Sequence, residues 1–351
     1  MRTPREEGFY MPAEWHPHVA CWMAWPSNEE AYSGAPLGSS AGLRNAKLSY
    51  ADVARAIARF EPVHMLVNAE DLEEARELCG PSIQLRTAEI DDGWLRDSGP
   101  SFLIDAAGRT AGVSWVFNGW GDKYRHEKDD RIARTLLEEE GYTCFSCPLV
   151  QEGGGIHVDG DGTVLVTESC QLNANRNPGL SKGEVTRYLI DYLGVSNVIW
   201  LNGGVENDET DGHVDGQACF IRPGVVLAAA SSDPDSPDYE VLQDNLEILR
   251  RSTDAHGRPL EIIEMEMPYK VLEDGTPVAG YYVNFYFANG AIILPAFGFP
   301  KEDLEAREFF TRTFPEREVV QLPTHDISFG GGNIHCITQQ QPAPLGGPDA
   351  R

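Results

Sequence analysis

Four stretches of the chain place two short apolar runs on either side of a tight turn, and each reads as a β-hairpin. "SFLIDAAGRTAGVSWVF" turns at Ala107-Gly108, "IHVDGDGTVLVTE" at Asp159 to Gly162, "QACFIRPGVVLAAA" at Pro223-Gly224, and "YYVNFYFANGAIILPAF" at Asn289-Gly290. Asn-Gly is the sharpest of these signals, because a type I′ turn needs positive φ at both central residues. After each hairpin the apolar positions switch to helical spacing, and a short strand follows. The predicted helices are "RIARTLLEEE", "SKGEVTRYLIDYL", "YEVLQDNLEILRR" and "KEDLEAREFFTRTF", and the strands after them "TCFSCPL", "NVIWL", "LEIIEME" and "EVVQL". Ser181 and Glu184 have the spacing of a capping box.

An opening helix, "YADVARAIARF", before "PVHMLV" starts a fifth such series. Its hairpin is divided between the chain ends, so the last strand is expected to pair with "HVACWMAW". Local echoes agree: "HVDG" occurs at His157 to Gly160 and again at His213 to Gly216, and "GGGIH" at Gly153 is matched by "GGGNIH" at Gly330. Repeats of this kind mean stacked or radially arranged units. The pattern predicts an α/β fold, a five-bladed, pseudo-symmetric α/β propeller built from ββαβ-like units. Residues 1–341 form a single domain in this scheme, and the Pro/Gly-rich stretch 342–351 is a disordered tail.

Composition changes the picture in three ways. With 28 Lys and Arg against 55 Asp and Glu, the net charge of −27 speaks against nucleic acid and anionic membranes as partners. No apolar run approaches the ~20 residues of a membrane helix, and "MRTPREEGFYMPAEW" lacks the apolar core of a signal peptide, so a cytoplasmic protein is expected. The seven scattered cysteines fit reduced thiols better than a disulfide framework. Cys144 and Cys147 form a C-x-x-C without the second pair a zinc site wants, so they are read as structural, and no metal is expected.

Four stretches at or just before hairpins carry the candidate chemistry: "DDGWLRDSGPSF", "QEGGGIHVDG", "NDETDGHVDG" and "GGGNIHC". In "GHVDG", alternation would put His213 and Asp215 on one face of a strand; a solvated face is the competing explanation. Asp97 could be the ion-pair partner of its neighbour Arg96, Glu152 a turn carboxylate, and Trp94 either core or an apolar wall over a cation. His157 and Asp159 repeat the pattern and are taken as a decoy. The glycines are not a phosphate cradle, since no Lys or Ser/Thr follows them. A Gly-flanked Cys336, a histidine and several carboxylates are what nucleophilic thiol chemistry on a cation requires.

Together with "MPAEWHPHVACWMAWP" near the start and "GGGNIHCITQQQP" near the end, these stretches resemble the agmatine deiminases of the guanidino-modifying (pentein) superfamily, in the family shared with bacterial peptidylarginine deiminases. The resemblance runs over nearly the whole chain, and it implies a five-bladed α/β propeller. It implies Cys336 as nucleophile, His213 as general acid/base, Asp97 and Asp215 as guanidinium-binding carboxylates, and Glu152 and Trp94 in the substrate pocket. The implied reaction hydrolyses agmatine to N-carbamoylputrescine and ammonia through a thiouronium on Cys336, with no cofactor, in a homo-oligomer. "EDGTPVAGYYVNF" looks shorter than its counterpart in the family, and "GGGIH" replaces a version bearing Ser or Thr. Both departures bear on the far end of the substrate.

The rival readings are a deiminase of another guanidine (free arginine, a guanidino acid or peptidyl-arginine), an amidinotransferase, a papain-like peptidase, and a non-enzymatic zinc or binding protein. An α-carboxylate would need a basic partner, and only Arg96 is at hand, whereas the amine of agmatine could be attracted by Glu152.

Overall fold

Helical periodicity decides which face of each sheet is covered. In the helix Ile132–Glu139 the buried residues are Ile132, Ala133, Leu136 and Leu137, a single apolar face. That face packs on the strands Thr110–Val116 and Thr143–Val150. The approach is so close that a Cβ on Gly112 would lie 2.6 Å from Leu137 Cδ2, which is why a glycine interrupts that strand. The helix Lys182–Leu193 buries Val185, Leu189 and Leu193 and ends at Gly194 with φ 68°. At its start, Glu184 accepts from the Ser181 backbone N–H at 2.8 Å, and Ser181 Oγ accepts from that of Glu184 at 3.3 Å.

The computed structural model describes residues 2–35, 38–205, 208–271 and 277–345. Asn207, most of the shortened "EDGTP" segment and the chain after residue 345 lie outside the described residues. The chain divides into two compact units: Met1–Pro17 with Arg96–Glu266 and Gln341–Arg351, and His18–Leu95 with Met267–Gln340.

The first unit carries three sheets of one plan. Ser101–Asp105 is antiparallel to Thr110–Val116, which is parallel to Thr143–Val150. His157–Val158, Thr163–Thr167 and Asn197–Leu201 repeat that order, as do Ala218–Arg222, Val225–Ala230 and Glu261–Glu266. Each parallel step is made through a helix, Ile132–Glu139, Lys182–Leu193 or Tyr239–Arg251, because parallel neighbours cannot be joined by a tight turn. The middle strands Thr163–Thr167 and Val225–Ala230 are buried at every position, as strands covered on both faces are.

In the second unit Tyr286–Ala288 is antiparallel to Ala291–Ala296, which is parallel to Glu318–Pro323. The predicted Asn289-Gly290 turn joins the first two, with φ 77° at Gly290. The helix Pro300–Thr313 supplies the crossover and begins with proline, whose missing N–H costs nothing there. Besides a two-stranded sheet of Tyr269–Val271 and Pro277–Ala279, a further sheet has the order Gln339–Pro342, His18–Ala24, Val63–Val67, Ile83–Thr87. A strand late in the chain thus pairs with "HVACWMA", as the divided hairpin required. Among the described residues, the α/β repeat of hairpin, helix and parallel strand therefore appears in five sheets.

One local expectation fails. "GHVDG" is not a strand: Val214–Gly216 forms a 3-10 turn after an extended His213. The positive φ of Asp211 (62°) and Gly212 (105°) bends the chain just before it, so alternation does not govern these side chains. The glycines before Cys336 follow the short helix His325–Ser328 in a turn, with φ 97° at Gly331.

Candidate active site

In the first unit the polar groups gather around a glycine. The turn Gly153–Gly155 brings the N–H of Gly154 within 2.8 Å of Asp97 Oδ1, to which it donates. A Cβ on Gly154 would lie 2.6 Å from His213 Nδ1, 2.9 Å from Asp97 Oδ1 and 3.0 Å from Asp215 Oδ2. One point in the protein is thus faced by two carboxylates and an imidazole, and only glycine leaves it open. Sequence spacing placed His213 and Asp215 together for the wrong reason; the 3-10 turn, not strand alternation, turns both toward Gly154.

His213 lies between carboxylates. Its Nδ1 is 3.7 Å from Asp97 Oδ1 and its Nε2 is 3.7 Å from Glu152 Oε2. Both nitrogens are buried and neither is within hydrogen-bond distance of a partner. Burial alone would push the imidazolium down, but Asp97, Cys170 and Glu152 outweigh it and hold His213 well above its ordinary value. Burial raises Asp97 despite the attraction of His213, and Asp215 and Glu152 add to the rise. Glu152 moves the other way: burial is outweighed by His213 and Arg176, which keep its carboxyl low.

Neighbours that sequence reasoning did not single out fix these groups. Trp120 donates from Nε1 to Asp97 Oδ2 at 2.9 Å. It does so from a left-handed backbone, φ 56°, which costs a bulky residue on the order of 1–3 kcal/mol. The glycines on either side in "NGWG" were the only signal. Arg176 donates from Nε to Glu152 Oε1 at 2.6 Å and from Nη1 to Asp211 Oδ2 at 2.9 Å. One Glu152 oxygen is therefore bonded to Arg176 while the other faces His213. That geometry suits a partner of the imidazole and does not suit a free carboxylate awaiting a distant amine. Arg96 pairs with Glu14 at 3.3 Å. His157, the decoy, accepts from the Phe220 N–H at 3.1 Å.

In the second unit Cys336 is buried. Asn284 donates from Nδ2 to its sulfur at 3.3 Å, and Asn284 Oδ1 accepts from the His335 N–H at 3.0 Å. A Cβ on Gly332 would lie 2.9 Å from Cys336 Sγ and 2.7 Å from Trp94 Cζ3, so the glycine lets the indole and the thiol flank one loop. Trp94 is held by its Nε1 donating to Asp92 Oδ2 at 3.2 Å. Burial pushes the Asp92 carboxyl up to about 6 against that hydrogen bond and one from Gly93. All seven cysteines are free thiols.

Residues 10–342 match the model of the Porphyromonas-type peptidyl-arginine deiminases. The chain belongs to that family. An agmatine deiminase of Pseudomonas aeruginosa is 46% identical over 367 residues, covering 97% of this chain and 98% of the relative. One of Stutzerimonas stutzeri is 45% identical over 370 residues, with 98% of each covered. A solved agmatine deiminase of Enterococcus faecalis matches with a TM-score of 0.89 at 36% identity, covering 98% of both chains. Membership of this deiminase family agrees with the α/β repeat and excludes a papain-like peptidase. Among the described residues, no helix is long and apolar enough to cross a membrane.

Proposed function

We propose that this chain is an agmatine deiminase, a hydrolase of linear amidine C–N bonds that converts agmatine to N-carbamoylputrescine and ammonia. The observation that carries the assignment is the facing of Asp97, Asp215 and His213 onto the one point left open by Gly154. A guanidinium has a pKa of roughly 12.5–13.8 and stays cationic at neutral pH. Its planar fork of N–H donors fits two carboxylates bidentately. The proposal requires the carboxylates of the first unit and the thiol of the second to address one bound guanidinium, with residues 1–341 acting as one catalytic domain. Trp94 and Asp97 lie three residues apart on one continuous segment, in keeping with that requirement.

Each group then has a role. Asp97 and Asp215 hold the cation, and Trp94 covers it as an apolar wall. Cys336 attacks the central carbon, and the sulfur–carbon bond forms as the C=N electrons move to nitrogen. His213, kept protonated by Asp97 and Glu152, gives its proton to the departing nitrogen, and ammonia leaves. The thiouronium is then attacked by water, from which the now neutral His213 takes a proton, and the sulfur–carbon bond breaks to release the ureido product. A cationic substrate also neutralises the carboxylates that hold the imidazolium proton, which makes that proton easier to give away.

The nearest rival is another guanidine. Free arginine and guanidino acids bring a carboxylate, but the two arginines beside these groups, Arg96 and Arg176, are already ion-paired with Glu14 and Glu152. A panel of agmatine, arginine, guanidinobutyrate and a blocked arginine peptide, scored for ureido product and ammonia, tests the choice; faster turnover of any of the last three overturns it. The same reading places the enzyme in the cytoplasm as a homo-oligomer, which fractionation and light scattering of the purified protein check.

A further inference from the structure

Beside the catalytic imidazole lies a thiol that the reaction does not use. Cys170 sits in the short helix Glu168–Gln171 and is fully buried. Its Sγ is 4.0 Å from Glu152 Oε2, the oxygen that is 3.7 Å from His213 Nε2. The three donor atoms all lie within 4.8 Å of one another. Four-coordinate zinc, with bonds of about 2.0–2.3 Å, sets its ligand atoms about 3.3–3.6 Å apart. The thiol–carboxylate and imidazole–carboxylate separations of 4.0 and 3.7 Å are within a few tenths of an ångström of that spacing, and the thiol and imidazole lie within 4.8 Å of each other.

Two further features point to a metal. His213 is 2% exposed, and its buried Nε2, which has no hydrogen-bond partner, stands 3.7 Å from this carboxylate. Behind it, Asp97 Oδ1 stands 3.7 Å from Nδ1, the outer carboxylate that orients a metal-bound imidazole. Thiolate, imidazole and carboxylate together suit zinc and exclude magnesium or calcium, which want oxygen alone. Arg176, bonded to Glu152 Oε1, opposes a cation here, but Asp97, Asp215, Asp211 and Glu152 outnumber it.

We propose that Cys170, His213 and Glu152 form a reversible, inhibitory zinc(II) site, with the fourth position left to water. Binding exchanges the Cys170 thiol proton for the metal, and it occupies the His213 nitrogen needed for proton transfer. Metal binding stands on the geometry alone; inhibition rests also on the role given to His213 above.

The test begins with the Cys336→Ala protein, so that the nucleophilic thiol cannot contribute. Titrated with cobalt(II), it should develop a thiolate charge-transfer band, and zinc should displace the cobalt. Adding Cys170→Ser should remove the band and weaken zinc binding by at least about tenfold, measured against a chromophoric chelator. Cys170→Ala serves if the serine variant does not fold. In the otherwise wild-type enzyme, zinc should suppress ammonia release until EDTA is added, and Cys170→Ser should raise the inhibitory concentration at least as far. No thiolate band, or unchanged zinc affinity without Cys170, overturns the proposal. If zinc binds through Cys170 but His213 proves dispensable for turnover, the site stands and the assigned role of His213 falls.

Discussion

The groups shown around Asp97 and those shown beside Cys336 differ in kind. Around Gly154, Asp97, Glu152, His213 and Asp215 are all at most 4% exposed, and Arg176 is tied to Glu152. Buried charges are costly unless paired, so that unit is assembled in advance to receive a cation. Beside Cys336 stand the Asn284 amide, the Gly332 backbone and, across that glycine, the Trp94 indole, whose nitrogen donates to Asp92. Charged side chains gather at one open point in the first unit; in the second, an amide donates to the Cys336 sulfur and a glycine leaves it room. A thiol with an ordinary pKa of ~8.5 is a few per cent thiolate at neutral pH. Under the proposed function, the carboxylates that hold the guanidinium oppose ionisation of the thiol until the cation neutralises them, and the bound cation then favours the thiolate.

That contrast can be broken most severely at the sulfur. Cys336→Ala should lower ammonia release by about 10⁴-fold or more, with an unchanged circular dichroism spectrum; a fully active variant would refute the thiouronium route. His213→Gln should cost about 10²–10⁴-fold in steady-state turnover. Gly154→Ala should cost about 10²-fold by pushing a methyl between the three groups, seen as a raised KM together with a reduced kcat.

Asn284 probes the groups beside the sulfur more finely. Asn284→Ala removes hydrogen bonds worth about 1 kcal/mol each, so turnover should fall by about tenfold. Asn284→Asp puts a negative charge beside the sulfur and should be worse, with the pH–rate profile displaced upward. Equal effects of the two substitutions would show that the charge of this environment does not matter.

The last expected effect concerns stability rather than turnover. Burial holds the Asp92 carboxyl up at about 6, against 3.8 in the unfolded chain. Between those values the native state binds a proton that the unfolded chain has lost, so stability falls as pH rises from about 4 to about 6 and levels off above. The shift corresponds to about 3 kcal/mol. Urea unfolding across that window should show a shallower slope for Asp92→Asn than for wild type. Asp97, also raised, should preserve part of the slope.

What the sequence revealed follows the same physical divide. The four hairpins and the helices after them were legible because turn residues and apolar periods are local signals; the helix predicted at "YADVARAIARF" only began too late, since it starts at Ser39. Asp97, Glu152, His213, Asp215, Trp94 and Cys336 stood out by type and by their glycine neighbours. Arg176, Trp120 and Asn284 did not, because each acts through a partner distant in sequence. The strand expected at "GHVDG" failed because two consecutive positive φ values interrupted it.

One consequence of the divided sheet reaches back to synthesis. His18–Ala24 leaves the ribosome long before its sheet neighbour Gln339–Pro342 is translated. Until then one edge of that sheet stays open, a template for mispairing. A premature stop shortly after His325 would remove the nucleophile and the closing strand together, so such truncated products should be lost to aggregation or degradation rather than accumulate as folded, inactive enzyme.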